Sequence, residues 1–180
     1  MTQLYGKIEI TDNSGTTRTV GSEERGFALQ LKHMEASVLD IIVDDRSNTF
    51  RNFYPAGGMV SLYCDTSNPP TTKVFRGKIE LRPKTDQTGG VMLDLHVTEY
   101  FFERILNVTV AEYYQNIKVG AMLRDIVAKY MPTTFNTSNI QDGTVTIESK
   151  MFKDEKLKSV FDWCAKIAGC DYFCDANLNI

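Results

Sequence analysis

The sequence has one tryptophan, two histidines (His33 and His96), no long apolar run and no excess of basic charge. Each shortage removes a class of function. A bilayer-spanning helix needs about twenty apolar residues in a row, and none occur. The N-terminus, Met1-Thr2-Gln3-Leu4-Tyr5-Gly6-Lys7, lacks the basic-then-apolar layout of a secretory signal, so synthesis and folding in the cytoplasm are expected. The net charge of −3 and the pI near 5.4 argue against general nucleic-acid binding, which exchanges a basic footprint for counterions. The four cysteines, Cys64, Cys164, Cys170 and Cys174, have no paired C-x2-C spacing and no histidine nearby. They read as reduced thiols, with Cys164 on an apolar helix face, and no metal site is expected.

Catalytic motifs are missing as well. There is no glycine-rich nucleotide loop, nucleophile elbow, H-E-x-x-H or EF-hand loop. The adjacent acids Glu23-Glu24 and Asp44-Asp45 point to opposite sides of an extended chain, whereas paired acid/base work needs convergent carboxylates. No catalytic, cofactor-binding or metal residue is assigned, and the expectation is a protein that is not an enzyme. Trp163 with Ile167, Tyr172 and Phe173 offers stacking surface for sugars, but an off-stripe Trp on an amphipathic helix more often widens a packing face.

What is present is a change of period along the chain. Residues 1–107 read as all-β. Leu4, Ile8 and Ile10 share one face of a first strand; Phe27, Leu29 and Leu31 one face of a second; Leu39, Ile41 and Val43 of a third; Val60, Leu62 and Cys64 of a fourth. Asp65 to Thr72 is a loop. Phe75, Gly77, Ile79 and Leu81 then alternate with Arg76, Lys78 and Glu80, and Val91, Leu93, Leu95 and Val97 with Met92, Asp94, His96 and Thr98. Around Lys84–Gly90 these make a long antiparallel hairpin, the wall of a barrel or sandwich. Lys73, Arg76, Lys78, Arg82 and Lys84 fall on its solvent face, and His96 on its polar face. Past Glu99 the alternation changes phase, which predicts a β-bulge near Thr98–Tyr100 and an exit strand to Asn107 with aromatics on both faces. Tyr100 to Phe102, with Phe50, Phe53 and Tyr54, are the candidate surfaces shared between subunits.

Residues 108–180 read as a small α/β domain. Val110–Tyr114 is a strand, and Val119, Met122, Leu123, Ile126, Val127, Tyr130 and Met131 form the stripe of a helix that Asn116 caps and Met131-Pro132 ends. Thr144–Ser149 is a strand. Leu157, Val160, Phe161, Cys164, Ala165 and Ala168 form the stripe of a second helix, capped by Asp154 and closed by Gly169. Asp171–Asp175 is a closing strand. The sequence stops at Asn177-Leu178-Asn179-Ile180 as further alternation begins, so the expectation is a domain completed by a longer chain or by a neighbour.

This order of pieces resembles the baseplate or tail-tip hub proteins of tailed bacteriophages and related contractile injection systems. The resemblance rests on the hairpin around Val74–Glu80, the exit segment Val97–Asn107, Glu112–Asn116 leading into Ala121–Pro132, Asp142–Ile147, and Phe152–Phe173. It implies an α+β fold: an N-terminal antiparallel β-barrel, tail-tube-like, followed by a small α/β domain with two amphipathic helices packed on a short sheet. It also implies a virion-tail protein, assembled in the host cytoplasm, that forms a trimeric or hexameric ring. Its partners would be the tail tube, distal tail, tape-measure and spike or fibre proteins, with DNA only in transit and no membrane insertion. The family's second barrel is not evident, so a six-fold distal-tail adaptor is the near alternative. A carbohydrate- or receptor-binding β-module and a cell-wall hydrolase are the rivals from other classes.

Overall fold

Alternation in the first hundred residues becomes strands, and the apolar member of each pair becomes the core. The computed structural model describes residues 3–20, 24–32, 35–44, 57–80, 85–87 and 90–180. Chain contacts divide it into two units, Met1–Tyr100 and Phe101–Ile180. The expected α+β class stands.

The first unit is a curled antiparallel sheet. Its strands are β1 (Tyr5–Thr11), β2 (Thr17–Val20), β3 (Glu24–Gln30), β4 (Val38–Asp44), β5 (Met59–Asp65), β6 (Lys73–Glu80), β7 (Thr85–Gln87) and β8 (Gly90–Glu99). They follow the path β2-β1-β5-β6-β8-β4-β3, with β7 pairing β8 beside it. Ile8, Ile10, Leu39, Ile41, Val43, Val60 and Val97 have no exposed surface, and Val20, Leu62, Phe75, Ile79 and Leu95 join them in one cluster. The expected hairpin forms: Ile79 pairs Val97 and Glu80 pairs His96, while β7 carries the ladder on to Gln87 opposite Gly90.

The path's two ends, β2 and β3, are successive in the chain. Every pairing along the path is antiparallel, so β2 and β3 run in the same direction. Residues 21–23 join them, and a link that short reaches no farther than about 15 Å. Gly77 sits where β6 crosses β8; a Cβ there would meet Thr98 O at 2.6 Å and Val97 Cγ1 at 2.6 Å.

Two expectations fail in this unit. Leu4 and Leu31 lie outside the strands and are 68% exposed, and Phe27, although in β3, is 47% exposed. The short strand β2 follows a turn in which the Asp12 carboxylate accepts hydrogen bonds from the backbone N–H groups of Ser14 and Thr16. Its four residues gave no periodic signal.

The second unit is built around aromatics. Its elements are α1 (Tyr100–Asn107), β9 (Thr109–Lys118), α2 (Val119–Tyr130), β10 (Thr146–Lys156) and α3 (Leu157–Ala168). The expected exit strand is a helix, α1, and the phase change after Glu99 is a change of period, not a bulge. Phe101, Phe102 and Ile105 stand at i, i+1 and i+4, and all three are buried on one helix face. Phe101 meets Phe102, Phe161, Phe135 and Tyr172 at ring-centroid distances of 5.4, 5.4, 6.1 and 6.2 Å.

The rest of the unit repeats one β-α motif. Tyr114, Asn116, Lys118, Val119, Met122, Leu123, Ile126 and Val127 occupy the places of Phe152, Asp154, Lys156, Leu157, Val160, Phe161, Cys164 and Ala165. β9 and β10 pair antiparallel. Asn116 and Asp154 do not cap the helices; both lie inside the strands with left-handed φ of 49° and 52°. The N-cap residues are Lys118 and Lys156, which make no side-chain cap bond. Main-chain oxygens take over: Val119 N–H donates to Val145 O and Gly120 N–H to Asp142 O, while Leu157 N–H donates to Val108 O. Each helix start is thus satisfied by the segment leading into the other strand. Gly169 closes α3 with φ 66°. Asp171–Asp175 is not a strand. Buried Tyr172 is followed by a turn held by the Asp175 carboxylate, which accepts from the N–H groups of Asn177 and Asn179.

Candidate interaction surfaces

Polar side chains in the second unit tie helix to strand. The Tyr114 hydroxyl donates to Asp125 Oδ2 at 2.6 Å, Lys129 bridges Asp125 at 2.8 Å and Glu112 at 3.2 Å, and Tyr130 donates to Glu112 at 3.1 Å. Burial, then the Asp125 carboxylate, holds the Tyr114 phenol well above its ordinary value. The Lys129 ammonium and the Tyr114 hydroxyl hold Asp125 below its own. On the other repeat, the Tyr172 hydroxyl donates to Asp162 at 2.7 Å, and Lys158 bridges that carboxylate at 2.8 Å. Lys150 lies 4.9 Å from the ring centres of both Phe152 and Trp163, and these two rings meet edge to face at 5.7 Å. Trp163 is therefore a packing residue. All of these groups fix shape, and none leaves a nucleophile beside a base.

Between the start of α2 and the end of α3 lies an apolar cavity of about 540 Å³ lined by Val119, Leu123, Phe161, Cys164 and Tyr172. Burial pushes the Cys164 thiol up to about 12, with Cys170 nearby adding to the effect, so it behaves as a small hydrophobe. None of the four cysteines forms a disulfide. Among the described residues, no group of three or more His, Cys, Asp or Glu side chains is placed to hold a metal ion. None of their helices is long and apolar enough to cross a membrane.

Of the candidate shared surfaces, Phe101 and Phe102 are 1% and 3% exposed, committed to the aromatic core of their own unit. That corrects the reading of them as subunit contacts. Phe50, Phe53 and Tyr54, the acids Glu23 and Asp45, and His33 lie outside the described residues. His96 pairs through Nδ1 with Asp40 at 2.7 Å, a hydrogen-bonded surface histidine as expected.

The outward face of the curled sheet is charged. Lys7 lies 4.3 Å and Lys73 5.6 Å from the centre of the Tyr63 ring, and Lys7 pairs with Glu9 at 2.9 Å. Burial pushes the Glu9 carboxyl up, but hydrogen bonds from Lys7 and Tyr63 outweigh it and hold the group low. Burial, then the Arg76 guanidinium, pushes the Lys73 ammonium down. Lys73, out of phase with Arg76 and Lys78, joins this face as expected but through the register shift between Leu62 and Tyr63; Arg76 and Lys78 are placed there by sequence alternation. It gave no sign of Lys7, Glu9 and Tyr63 beside them, because only the register of β1 on β5 and β5 on β6 brings these strands together.

No family model matches the sequence, and no curated protein matches it. Solved structures do match it. The tail protein from Neisseria meningitidis MC58 superposes with a TM-score of 0.67 at 11% identity, over 97% of this chain and 49% of that one. The 43 kDa tail protein of prophage MuSo2 from Shewanella oneidensis gives 0.69 at 10% identity, over 98% of this chain and 52% of that one. A chain of the lidded Francisella PdpA–VgrG complex gives 0.55 at 10% identity, over 96% of this chain and 27% of that one. This chain thus spans about half the length of the two tail proteins. Its fold, the curled sheet followed by the small α/β unit, is that of phage tail proteins.

Proposed function

We propose that this chain is a structural, non-catalytic subunit of a phage-type tail tip or baseplate hub. It would form a ring that joins the tail tube to the tip or central spike and helps line the DNA conduit. In this reading the β-rich part, 1–107, builds the ring, and the α/β part, 108–180, braces it against other tail proteins. The carrying observation is that the likeness to the two tail proteins extends over 97% and 98% of this chain, through both units in the same order. Two features support it. Tyr114, Glu112, Asp125, Lys129 and Tyr130 of the second unit are spent on holding helix to strand, and the first unit presents a charged outward face over an apolar core, as a ring wall requires. The site of action would be the virion tail, with self, tail-tube, distal-tail, tape-measure and spike or fibre proteins as partners.

Native mass spectrometry with negative-stain imaging tests the reading. Closed rings of three or six are the expected result. Three would favour a hub, and six a distal-tail adaptor. A monomer throughout the micromolar range would overturn the ring.

A further inference from the structure

The strand register lets the outward residues of the curled sheet be placed row by row. Ile8, Leu62, Phe75, Ile79, Val97 and Ile41 face the core, so their chain neighbours face out, and a register shift between Leu62 and Tyr63 brings Lys73 to the same outward face opposite Tyr63. Lys7, Tyr63 and Lys73 form one outward row across β1, β5 and β6, and Glu9, Ser61 and Arg76 the next. Farther along, Glu80, His96 and Asp40 form a row across β6, β8 and β4, with Asp94 beyond it opposite Ile42. Among the described residues, one end of the face is therefore basic, with Glu9 as its acid; the row between carries Lys78 and Thr98, and the far end carries the carboxylates of Glu80, Asp40 and Asp94. Along β6 the separation from Lys73 to Glu80 is roughly 23 Å at about 3.3 Å per residue.

We propose that this charge-polarised sheet face is a head-to-tail contact between copies of the chain. The Lys7–Lys73–Arg76 end of one copy meets the Asp40–Glu80 end of the next. The proposal rests on the ring reading and names the surface that builds the ring. Neighbours set the charges in place: the Thr98 hydroxyl donates to Glu80 at 2.7 Å, and His96 pairs with Asp40. Arg76 beside the half-buried Lys73 leaves a like-charge contact that incoming carboxylates would relieve. The outward face of a curled sheet is convex, so two such faces do not lie flat on one another and meet at their ends instead. A contact between different ends repeats from copy to copy, and the ring reading requires that its rotation close. Nucleic acid is a poor fit for the same face, because its carboxylate end repels phosphate.

The test is charge reversal on the full chain, read by native mass spectrometry between about 0.05 and about 0.5 M salt. Lys73→Glu with Arg76→Glu, and separately Asp40→Lys with Glu80→Lys, should each raise the concentration for half-assembly at least about tenfold. All four changes together should restore rings, because the signs of both ends are exchanged. That rescue separates a contact from a folding defect, and the milder Arg76→Gln should show a smaller shift in the same direction. Wild-type rings that persist at high salt and in both reversal variants would overturn this surface while leaving the ring reading intact. A wild type that stays monomeric at low salt would overturn both, and a wild type that stops at a dimer would overturn the head-to-tail geometry.

Discussion

The two units solve the same packing problem with different side chains. Among the described residues, the curled sheet fills its interior almost wholly with Ile, Leu and Val, and Phe75 is the one aromatic in its cluster. The second unit packs Phe101, Phe102, Phe135, Phe152, Phe161 and Tyr172 among three helices and two strands. Strands that alternate and curl leave a narrow interior that branched aliphatic side chains fill evenly. A ribbon of two strands covered by helices leaves wider gaps, and only large rings reach across them. Stability in the first unit is therefore spread over many equal contacts, and in the second it is concentrated in a few.

Removing one ring from the second unit should show this most clearly. Phe161→Ala, at a fully buried position that touches Phe101 and Tyr172, should cost about 3–5 kcal/mol. Ile41→Ala, equally buried in the sheet, belongs in the range of about 2–5 kcal/mol. Urea unfolding with hydrogen exchange by segment checks both. If Phe161→Ala raises exchange in 1–100 as much as in 101–180, the contrast between the units is wrong.

Backbone contacts give the next effect. A Cβ at Gly120 would lie 1.9 Å from Gln141 O and 2.8 Å from Asp142 Cα. Gly120→Ala should therefore cost about 3 kcal/mol or prevent folding of the second unit, since main chain, unlike a side-chain tip, does not swing aside. Gly77→Ala in the sheet should cost about 2 kcal/mol, part of it relieved by rotation of Val97. Circular dichroism melts would rank the pair, and equal melting points would contradict the ordering.

Smaller still is a single hydroxyl. Tyr172→Phe removes the bond to Asp162 while keeping the ring, and should cost about 1–2 kcal/mol. The least effect is a pH dependence in the first unit. Burial raises the Glu99 carboxyl above its ordinary 4.5, against hydrogen bonding from Ser37. A carboxyl raised in the fold is penalised when ionised, so stability is greatest below the unfolded value and falls as pH rises through the interval up to the folded one. Glu99→Gln should flatten that fall in denaturant titrations between about pH 4 and about pH 7. A variant that melts with the wild-type pH profile would show that Glu99 plays no part in it.

Legibility in the sequence follows the same division. Strands β4, β5, β6 and β8 were readable because period-two alternation coincides with a one-sided core. The stripes of α2 and α3 were readable because their apolar spacing is helical throughout. Helix α1 was not, since Phe101-Phe102 after an alternating strand looks like the same strand shifted by one. Only Ile105, three residues past Phe102, carries the helical spacing. The caps failed for a nonlocal reason: the acceptors for α2 and α3 are carbonyl oxygens at Asp142, Val145 and Val108, which no local motif announces. The charged sheet face was half legible, with Arg76 and Lys78 given by alternation, Lys73 brought in by a register shift in the pairing with β5, and Lys7, Glu9 and Asp40 supplied by neighbouring strands.

The exchanged caps of the second unit also set the order of events as it folds. Leu157 N–H has its acceptor at Val108, and Val119 N–H at Val145, so each helix start gains its main-chain acceptor only once the two strands have found their register. A lone helix of twelve residues is marginal in water, and here its N-terminal acceptors come from residues distant in sequence. Pairing of β9 with β10 should therefore stabilise α2 and α3 together, and refolding in which helical signal precedes strand pairing would contradict this.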